Sequence, residues 1–594
     1  MSKACPLTAV LLVAFYLPPA VAQVADPGGR CNNEFARFLV EQQVADSRSV
    51  EETDKRIRIL TRSADFIWKF DQPKAREYLS EAFKVANERF NEKGFEKRNE
   101  KGLIIHAPDY RFEVVRSIAK KDADWAKRLL EQILKDYEKT AADRAELDKT
   151  REIDSILQIA VASVKTNPGL SWHLFRRLVR SPLDTYWFFG LAQTAAEDRQ
   201  FADQLYGELL KAYADQTPRR LLFLSAYPFA GGRILGIDKY SYGVSVPEGL
   251  TPNLNLQQQF ISMFLQRASR YAGDPESISR PRETTHFAEP LYLVTALQEL
   301  EPVVVERFPA LLQRFSEARA RAVGLLSDDM RKEMGDKEKR NANLGYSFDE
   351  RLAEVEKADE EGKLTDFVIV TLLIRDGADR TEEQFRKILP WLEKIRDESV
   401  RADTINYFWF LRSHLAVKEN RLEDAEKFAA KVPEIEHRAI LLFETAESRL
   451  KEISETSDSL QILAEVGKVA RQSDDSVAKA RVLLGLASVY EKVNHIFALD
   501  ELSDAIKVIN KLEKPNLLSS SVHRQISGKD FSFFTVFNMP GYDLESTFKL
   551  ISKNDFEMSL SNAKALEDKY FRTLAVLAVA QNCVERPKSP RGQK

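Results

Sequence analysis

The sequence predicts an all-α protein: irregular helical hairpins stacked into a curved right-handed solenoid in two halves, with inserted loops. Three observations predict it. Residues 422–448 (LEDAEKFAAKVPEIEHRAILLFETAES) lie over residues 556–582 (FEMSLSNAKALEDKYFRTLAVLAVAQN) without a gap, matching Ala429 to Ala563, Val432 to Leu566, Arg438 to Arg572 and Ala446 to Ala580. A hairpin array writes such repeats because each hairpin buries one face against the next, so small residues recur where helices touch. Second, Asp followed four residues later by Ala recurs at Asp71/Ala75, Asp122/Ala126 and Asp198/Ala202, with a looser echo at Asn167/Ser171. The pattern fits a capping residue opening the second helix of a hairpin, then a small residue where that helix crosses its partner. Third, glycine and proline number 23 each in 594 residues, low punctuation that fits long helices with short connections.

The N-terminus reads as an export signal. Lys3 supplies a thin positive region, residues 7–17 (LTAVLLVAFYL) an apolar stretch, and Ala20-Val21-Ala22 the small residues a signal peptidase needs, with cleavage before Gln23. The apolar run is shorter than the roughly 20 residues of a membrane span. No Cys follows it in a lipobox; Cys31 lies too far along. The reading is a periplasmic or secreted chain with no integral membrane segment after cleavage.

The mature chain then divides. Residues 23–215 read as N-terminal hairpins, with helices over 33–66 and 74–92 and Asp71 capping ahead of Pro73. Periodicity stops over 216–256, where Tyr227, Pro228, Phe229, Gly231 and Gly232 precede Tyr240, Tyr242 and Gly243. A loop this long in a helical chain is more often functional. Helix resumes over 257–326. Residues 327–363 carry dense charge of both signs and read as a linker or solvated helical extension. Residues 364–584 read as C-terminal helical repeats with an irregular insert at 514–550, in which FSFFTV (531–536) fits a short strand. The basic, proline-containing tail 585–594 reads as disordered.

Composition narrows the function class. Hydrophobic residues make up 44% and charged residues 30%, which excludes global disorder. A net charge of −3 gives no reason to expect a nucleic-acid binder. Cys5 leaves with the signal. Cys31 and Cys583 stand at opposite ends of the mature chain. An open solenoid is expected to hold them beyond the roughly 7 Å between Cα atoms that a disulfide tolerates. A bridge would require the array to curl back on itself.

No catalytic or metal signature stands out. The seven histidines are isolated, without His/Cys pairs at ligand spacing. No cofactor is implied. Glu545-Ser546 looks similar to the catalytic dipeptide of lytic transglycosylases, but Glu276-Ser277, Glu398-Ser399 and Glu447-Ser448 show how common the pair is here. An all-α enzyme acting on envelope or extracellular glycans is the alternative reading. The strongest candidate for partner binding is the 216–256 loop, through Arg219, Arg220, Tyr227, Arg233, Tyr240 and Tyr242. Arginine and aromatic residues anchor interfaces, and the Gly231-Gly232 pair can present backbone N–H groups.

Residues 405–433 (INYFWFLRSHLAVKENRLEDAEKFAAKVP) resemble a tetratricopeptide repeat. Trp409 matches the aromatic of the first helix, Ser413 the small residue one turn on, and Ala425 the small residue opening the second helix. Arg412 departs from the pattern where leucine is expected, and Val432 where a small residue is expected. The resemblance implies a scaffold that binds a protein or peptide and implies no activity. The layout of signal, hairpins and Tyr-Pro-Phe loop is also similar to that of secreted helical-repeat proteins of bacteria. The function read from the sequence is therefore an exported, non-catalytic scaffold for a protein or peptide partner.

Overall fold

The computed structural model describes residues 31–94, 96–98, 104–106, 108–139, 146–236, 246–247, 249–275, 289–332, 347–374, 380–451, 456–529, 531–539 and 541–585. The signal segment, Tyr240, Tyr242 and the tail after Glu585 lie outside these residues.

The first half contains Asn33–Ser47 (α1), Thr53–Ile67 (α2), Gln72–Lys93 (α3), Tyr110–Ala119 (α4), Ala123–Lys139 (α5), Glu146–Ser163 (α6), Pro168–Leu178 (α7), Tyr186–Glu197 (α8) and Arg199–Ala212 (α9). Pro218–Leu221 (α10), Leu254–Gly273 (α11), Glu289–Arg307 (α12) and Leu312–Gly324 (α13) follow. The second half contains Phe348–Glu360 (α14), Asp366–Ile374 (α15), Glu382–Leu392 (α16), Glu398–Lys418 (α17), Leu422–Ala429 (α18), Ile435–Arg449 (α19) and Thr456–Gln472 (α20). Val477–Tyr490 (α21), His495–Ile509 (α22), Leu544–Ile551 (α23), Phe556–Lys564 (α24) and Lys569–Glu585 (α25) complete it. Two antiparallel strand pairs interrupt the helices: Glu96–Arg98 (β1) with Ile104–His106 (β2), and Ser521–Ser527 (β3) with Ser532–Asn538 (β4).

The recurrent Asp-to-Ala spacing does what the sequence implies. The side chains of Asp71, Asp122 and Asp198 accept from the backbone N–H of Lys74 (3.0 Å), Trp125 (2.9 Å) and Phe201 (2.9 Å), capping helices α3, α5 and α9. Ala75, Ala126 and Ala202 are buried. The looser echo differs. Asn167 makes no side-chain cap and donates instead to the Ala119 carbonyl, while Ser171 donates to the Ala160 carbonyl (2.8 Å) on the helix it crosses. Ser413 does the same to Ala425 (2.8 Å). A hydroxyl facing a carbonyl serves a close crossing as well as a methyl, because the buried oxygen finds a partner.

Three elements differ from the sequence reading. The single helix expected over 33–66 is two, α1 and α2, broken at Arg48–Glu52, where Ser49 and Val50 close turns onto Asp46 and Ser47 (3.1 and 3.0 Å). The strand expected at 531–536 spans Ser532–Asn538 and has a partner, β3, which Arg and Gln at exposed-looking positions disguised. Residues 544–551, read as part of an irregular insert, form α23 because Asp543 caps the Ser546 N–H (2.8 Å).

The largest difference is at the termini. Cys31 and Cys583 are bonded, with Cα atoms 5.1 Å apart across a sequence separation of 552 residues. One row of packed helices runs α17, α19, α21, α23 and α25, then crosses the chain ends to α2, α4, α6 and α8. Helix α1 completes a hairpin with α25, and the disulfide sits where a hairpin loop would be. Phe35 packs edge-on against Phe556 (6.1 Å), Lys569 donates to Ser49 (2.7 Å), and Lys55 lies over the Tyr570 ring (5.6 Å). The expectation that an open array separates the cysteines is thereby corrected. The stacking runs from Phe348 to the C-terminal helix and on from α1 to Gly324. Among the described residues, no packing of similar extent joins α13 to α14. The first and last described helices, α1 and α25, are interior to the array.

Candidate functional site: the anchored loop and a groove on the repeat

The Tyr-Pro-Phe loop is built into the array. Thr217 caps the one-turn helix α10, with Pro218 at its first position. The Arg219 backbone N–H donates to Glu289 (2.6 Å) and its guanidinium covers the Tyr292 ring (4.8 Å). Arg220 donates to the Leu183 carbonyl (2.8 Å). Tyr227 is 7% exposed, donates its hydroxyl to Asp203 (2.7 Å) and stacks on Tyr206 (5.3 Å). Burial, with the Asp203 carboxylate beside it, holds that hydroxyl well above the usual tyrosine range. The Pro228 carbonyl accepts from the Asn253 N–H (2.9 Å) and the Gln257 amide (3.2 Å), and Asn253 also reaches Asp203 (3.1 Å).

Gly236, at φ 70°, fits against Ala296 and the Tyr292 carbonyl so closely that a Cβ would stand 2.9 Å from each. Arg233 reaches to within 3.8 Å of Glu299, which also accepts from the Gly236 N–H (3.3 Å). The four described residues of the predicted cluster thus point to different neighbours: Arg219 and Arg233 to α12, Arg220 to the segment before α8, Tyr227 to α9. The structure does not gather them into one patch. Tyr240 and Tyr242 lie outside the described residues.

An open groove lies elsewhere, beginning at the end of the segment that resembles a tetratricopeptide repeat and lined mostly by the two helices after it. It holds about 400 Å³ between α18, α19 and α20. Its floor is apolar: Ile435, Ala439, Leu442, Ile462, Val466 and Val469. Its rim carries Glu426, Asp458 and Glu465 beside Arg438 and Arg449. Both arginines are held in place. Arg438 donates to the Val432 carbonyl (2.8 Å), and Arg449 pairs with Glu426 (2.8 Å), Glu423 (3.7 Å) and Asp458 (3.8 Å). An apolar floor with fixed polar groups at its edge is the general form of a ligand cleft. The sequence carried no distinct signal for it: Ile462 and Val466 are buried and recur at the helical spacing of ordinary hairpin core.

One departure from the tetratricopeptide pattern, Arg412, explains itself locally. Arg412, where leucine is expected, lays its guanidinium over Phe428 (4.2 Å) and pairs with Glu382. Lys431 sits over the Trp409 ring (3.7 Å). The aromatic core of the repeat is closed by cations instead of aliphatic carbon.

A second buried cluster fastens the β3–β4 hairpin. Arg481 donates to the Ser519 and Ser521 carbonyls (3.0 and 2.6 Å) and pairs with Glu436 (3.3 Å). Arg524 of β3 lies 3.6 Å from Glu434 and over the Tyr407 ring (5.6 Å). His437 is buried beneath them, edge-on to Phe410 (5.9 Å). Burial, and then the Arg524 charge, lower its pKa to about 4. Burial raises the Glu436 carboxyl against the pull of Arg481. Neither helical periodicity nor motif spacing marked these residues, because the partners come from four separate elements.

No group of His, Cys, Asp and Glu with metal-binding geometry occurs among the described residues, and none of their helices is long and apolar enough to cross a membrane. The fold places the chain among helical-hairpin repeat proteins. No family model matches the sequence, and no curated protein matches it. Among solved structures the chain is similar to a "Circular tandem repeat protein with novel repeat topology and enhanced subunit contact surfaces", at 12% identity over 92% of this chain and 98% of that chain, with a TM-score of 0.13. A score of that size carries no argument about shape or function.

Proposed function

We propose that this protein is an exported, non-catalytic scaffold that binds a peptide or protein segment in the α18–α20 groove. The observation that carries the reading is the groove's lining: apolar residues such as Ile435 and Leu442 beside polar ones, with Arg438, Arg449 and Glu426 already held in geometry. Pre-ordered polar groups lower the cost of binding, because their side-chain entropy is already lost in the free protein. Helical-repeat surfaces bind partners in this way and need no cofactor. The Tyr-Pro-Phe loop supports the array that displays the groove.

Export is supported by the apolar segment at residues 7–17 and the Ala20-Val21-Ala22 site. It is supported again by the pairing of the two cysteines that remain after cleavage, since lasting disulfides belong to oxidising compartments.

The test has two arms. Expressed from its own start, the protein is fractionated and its N-terminus sequenced; a cytosolic chain beginning at Met1 would end the export reading. Mature protein is then used as bait in extracytoplasmic extract beside Leu442→Glu, which puts a charge on the groove floor. A partner held by the unmutated protein and lost by the folded variant supports the groove. A partner retained equally by both moves the site elsewhere.

A further inference from the structure

Strands β3 and β4 pair antiparallel from Ser521↔Asn538 to Ser527↔Ser532, and among the described residues no third strand pairs with either. Bonds flanking the ladder fix its phase. The Gly528 N–H donates to the Phe531 carbonyl (2.9 Å) and the Met539 N–H to the Ser520 carbonyl (3.0 Å). In an antiparallel ladder, residues that bond across the pair alternate with residues whose backbone faces away. Phe533, Thr535 and Phe537 therefore bond to β3. The N–H and C=O groups of Ser532, Phe534, Val536 and Asn538 face the outer edge.

Among the described residues that edge is unguarded. Natural sheets protect edges with lysine, proline or a bulge. From Ser532 to Asn538 the strand has no charge and no proline, and its register runs through without a bulge. Phe534 and Val536 are 59% and 45% exposed. The strand is also nearly palindromic about Thr535: Phe534 mirrors Val536, and Phe533 mirrors Phe537.

We propose that β4 is a self-association edge, on which a second copy of this chain pairs antiparallel about a two-fold axis at Thr535. In that register every outward-facing residue meets an outward-facing residue. Phe534 lies opposite the partner's Val536, and Ser532 opposite the partner's Asn538, so each pair exchanges two backbone hydrogen bonds. A register shifted by one residue would set outward groups against inward ones and make none. On the exposed face, aromatic meets β-branched, a favourable cross-strand pair. The strand is uncharged, so two copies meet with no like charges opposed. A single strand junction buries less than the roughly 1,200 Å² of a standard interface, so the dimer is weak and reversible.

The test uses the mature, oxidised chain, whose two natural cysteines are bonded to each other. Sedimentation velocity over a concentration series should show the mass rising towards twice the monomer. Val536→Pro removes only an edge-facing N–H and leaves the β3 bonds intact; it should stay monomeric over the same range with unchanged circular dichroism. Thr535→Cys should form an intermolecular disulfide, since directly opposed residues of a non-hydrogen-bonded pair stand about 4.5 Å apart between Cα atoms, within disulfide reach. Ser532→Cys, on the more exposed residue, should not, because its own copy lies far along the partner strand. If Val536→Pro fails to fold, the two cysteine variants decide. A monomer at every concentration, equal cross-linking of both cysteines, or a dimer that survives in folded Val536→Pro overturns the proposal. So does capture of an extended peptide by a chain that never dimerises.

Discussion

Arg438 and Arg572, 134 residues apart, make the same bond. Arg438 donates to the carbonyl of Val432 (2.8 Å) and Arg572 to that of Leu566 (3.1 Å), six residues back in each case, and Val432 and Leu566 are themselves matched positions of the gapless repeat. Each arginine closes the turn between a short first helix and a long second one. Ala429 and Ala563 are both fully buried beside those turns. The two hairpins are one unit written twice. Replacing Ala429 or Ala563 with Leu overpacks equivalent crossings and should destabilise the protein by about 1–3 kcal/mol in each case. Denaturant titration of both variants checks it; an unchanged midpoint in either would break the equivalence.

The disulfide stands in for a hairpin loop between α25 and α1. Removing it with the Cys31→Ser/Cys583→Ser pair should cost about 2–4 kcal/mol. The loss should be local first, because α1 is then held only by packing. Hydrogen exchange should show α1 opening ahead of α3 and α4. Uniform protection across these helices in the variant would show that packing alone secures the seam.

Tyr227 is an anchor. Tyr227→Phe leaves the ring in place and removes one donor from the half-buried Asp203 carboxylate. It should cost about 1–2 kcal/mol. Tyr227→Ala, which also empties the space against Tyr206, should cost about 3–5 kcal/mol. Thermal unfolding distinguishes this from a binding-only role, under which both variants would melt as the parent does.

His437 makes stability depend on pH. Its folded pKa is about 4 and lies below the ordinary value of 6.5. The unfolded chain therefore takes up a proton between these values and the folded chain does not. Stability from the neutral ring is full above 6.5 and falls as pH drops towards 4, by up to about 3 kcal/mol. Glu436, raised by burial, works in the opposite direction, since its folded form holds a proton that the unfolded form releases. His437→Leu should flatten the parent's decline between pH 6.5 and 4. A variant that loses stability in parallel with the parent over that window would show that His437 is not its source.

Much of the fold is legible in residues that act locally. Asp71, Asp122 and Asp198 cap because a carboxylate three residues before an N–H has one low-energy place to go. Ala429 and Ala563 mark crossings because only a small side chain fits there. The candidate site is less legible. Tyr227 and Arg233 were visible as a cluster of the residue types that anchor interfaces, but composition does not say whether an aromatic faces solvent or a neighbouring helix. The groove residues Ile435, Leu442 and Val466 look like any hairpin core, and Val466 is in fact buried, so only the surface left between the packed helices marks the groove.

The sequence by itself determined the helices, their caps, the repeat and the uncharged strand, because each is fixed by contacts within a few residues. Only the tertiary structure decided that α25 meets α1, that Cys31 reaches Cys583, and that Arg524 and Arg481 fasten a hairpin over His437. Each of these joins elements that are distant in the sequence, so it depends on how whole helices stack, and no pattern within a few residues records that.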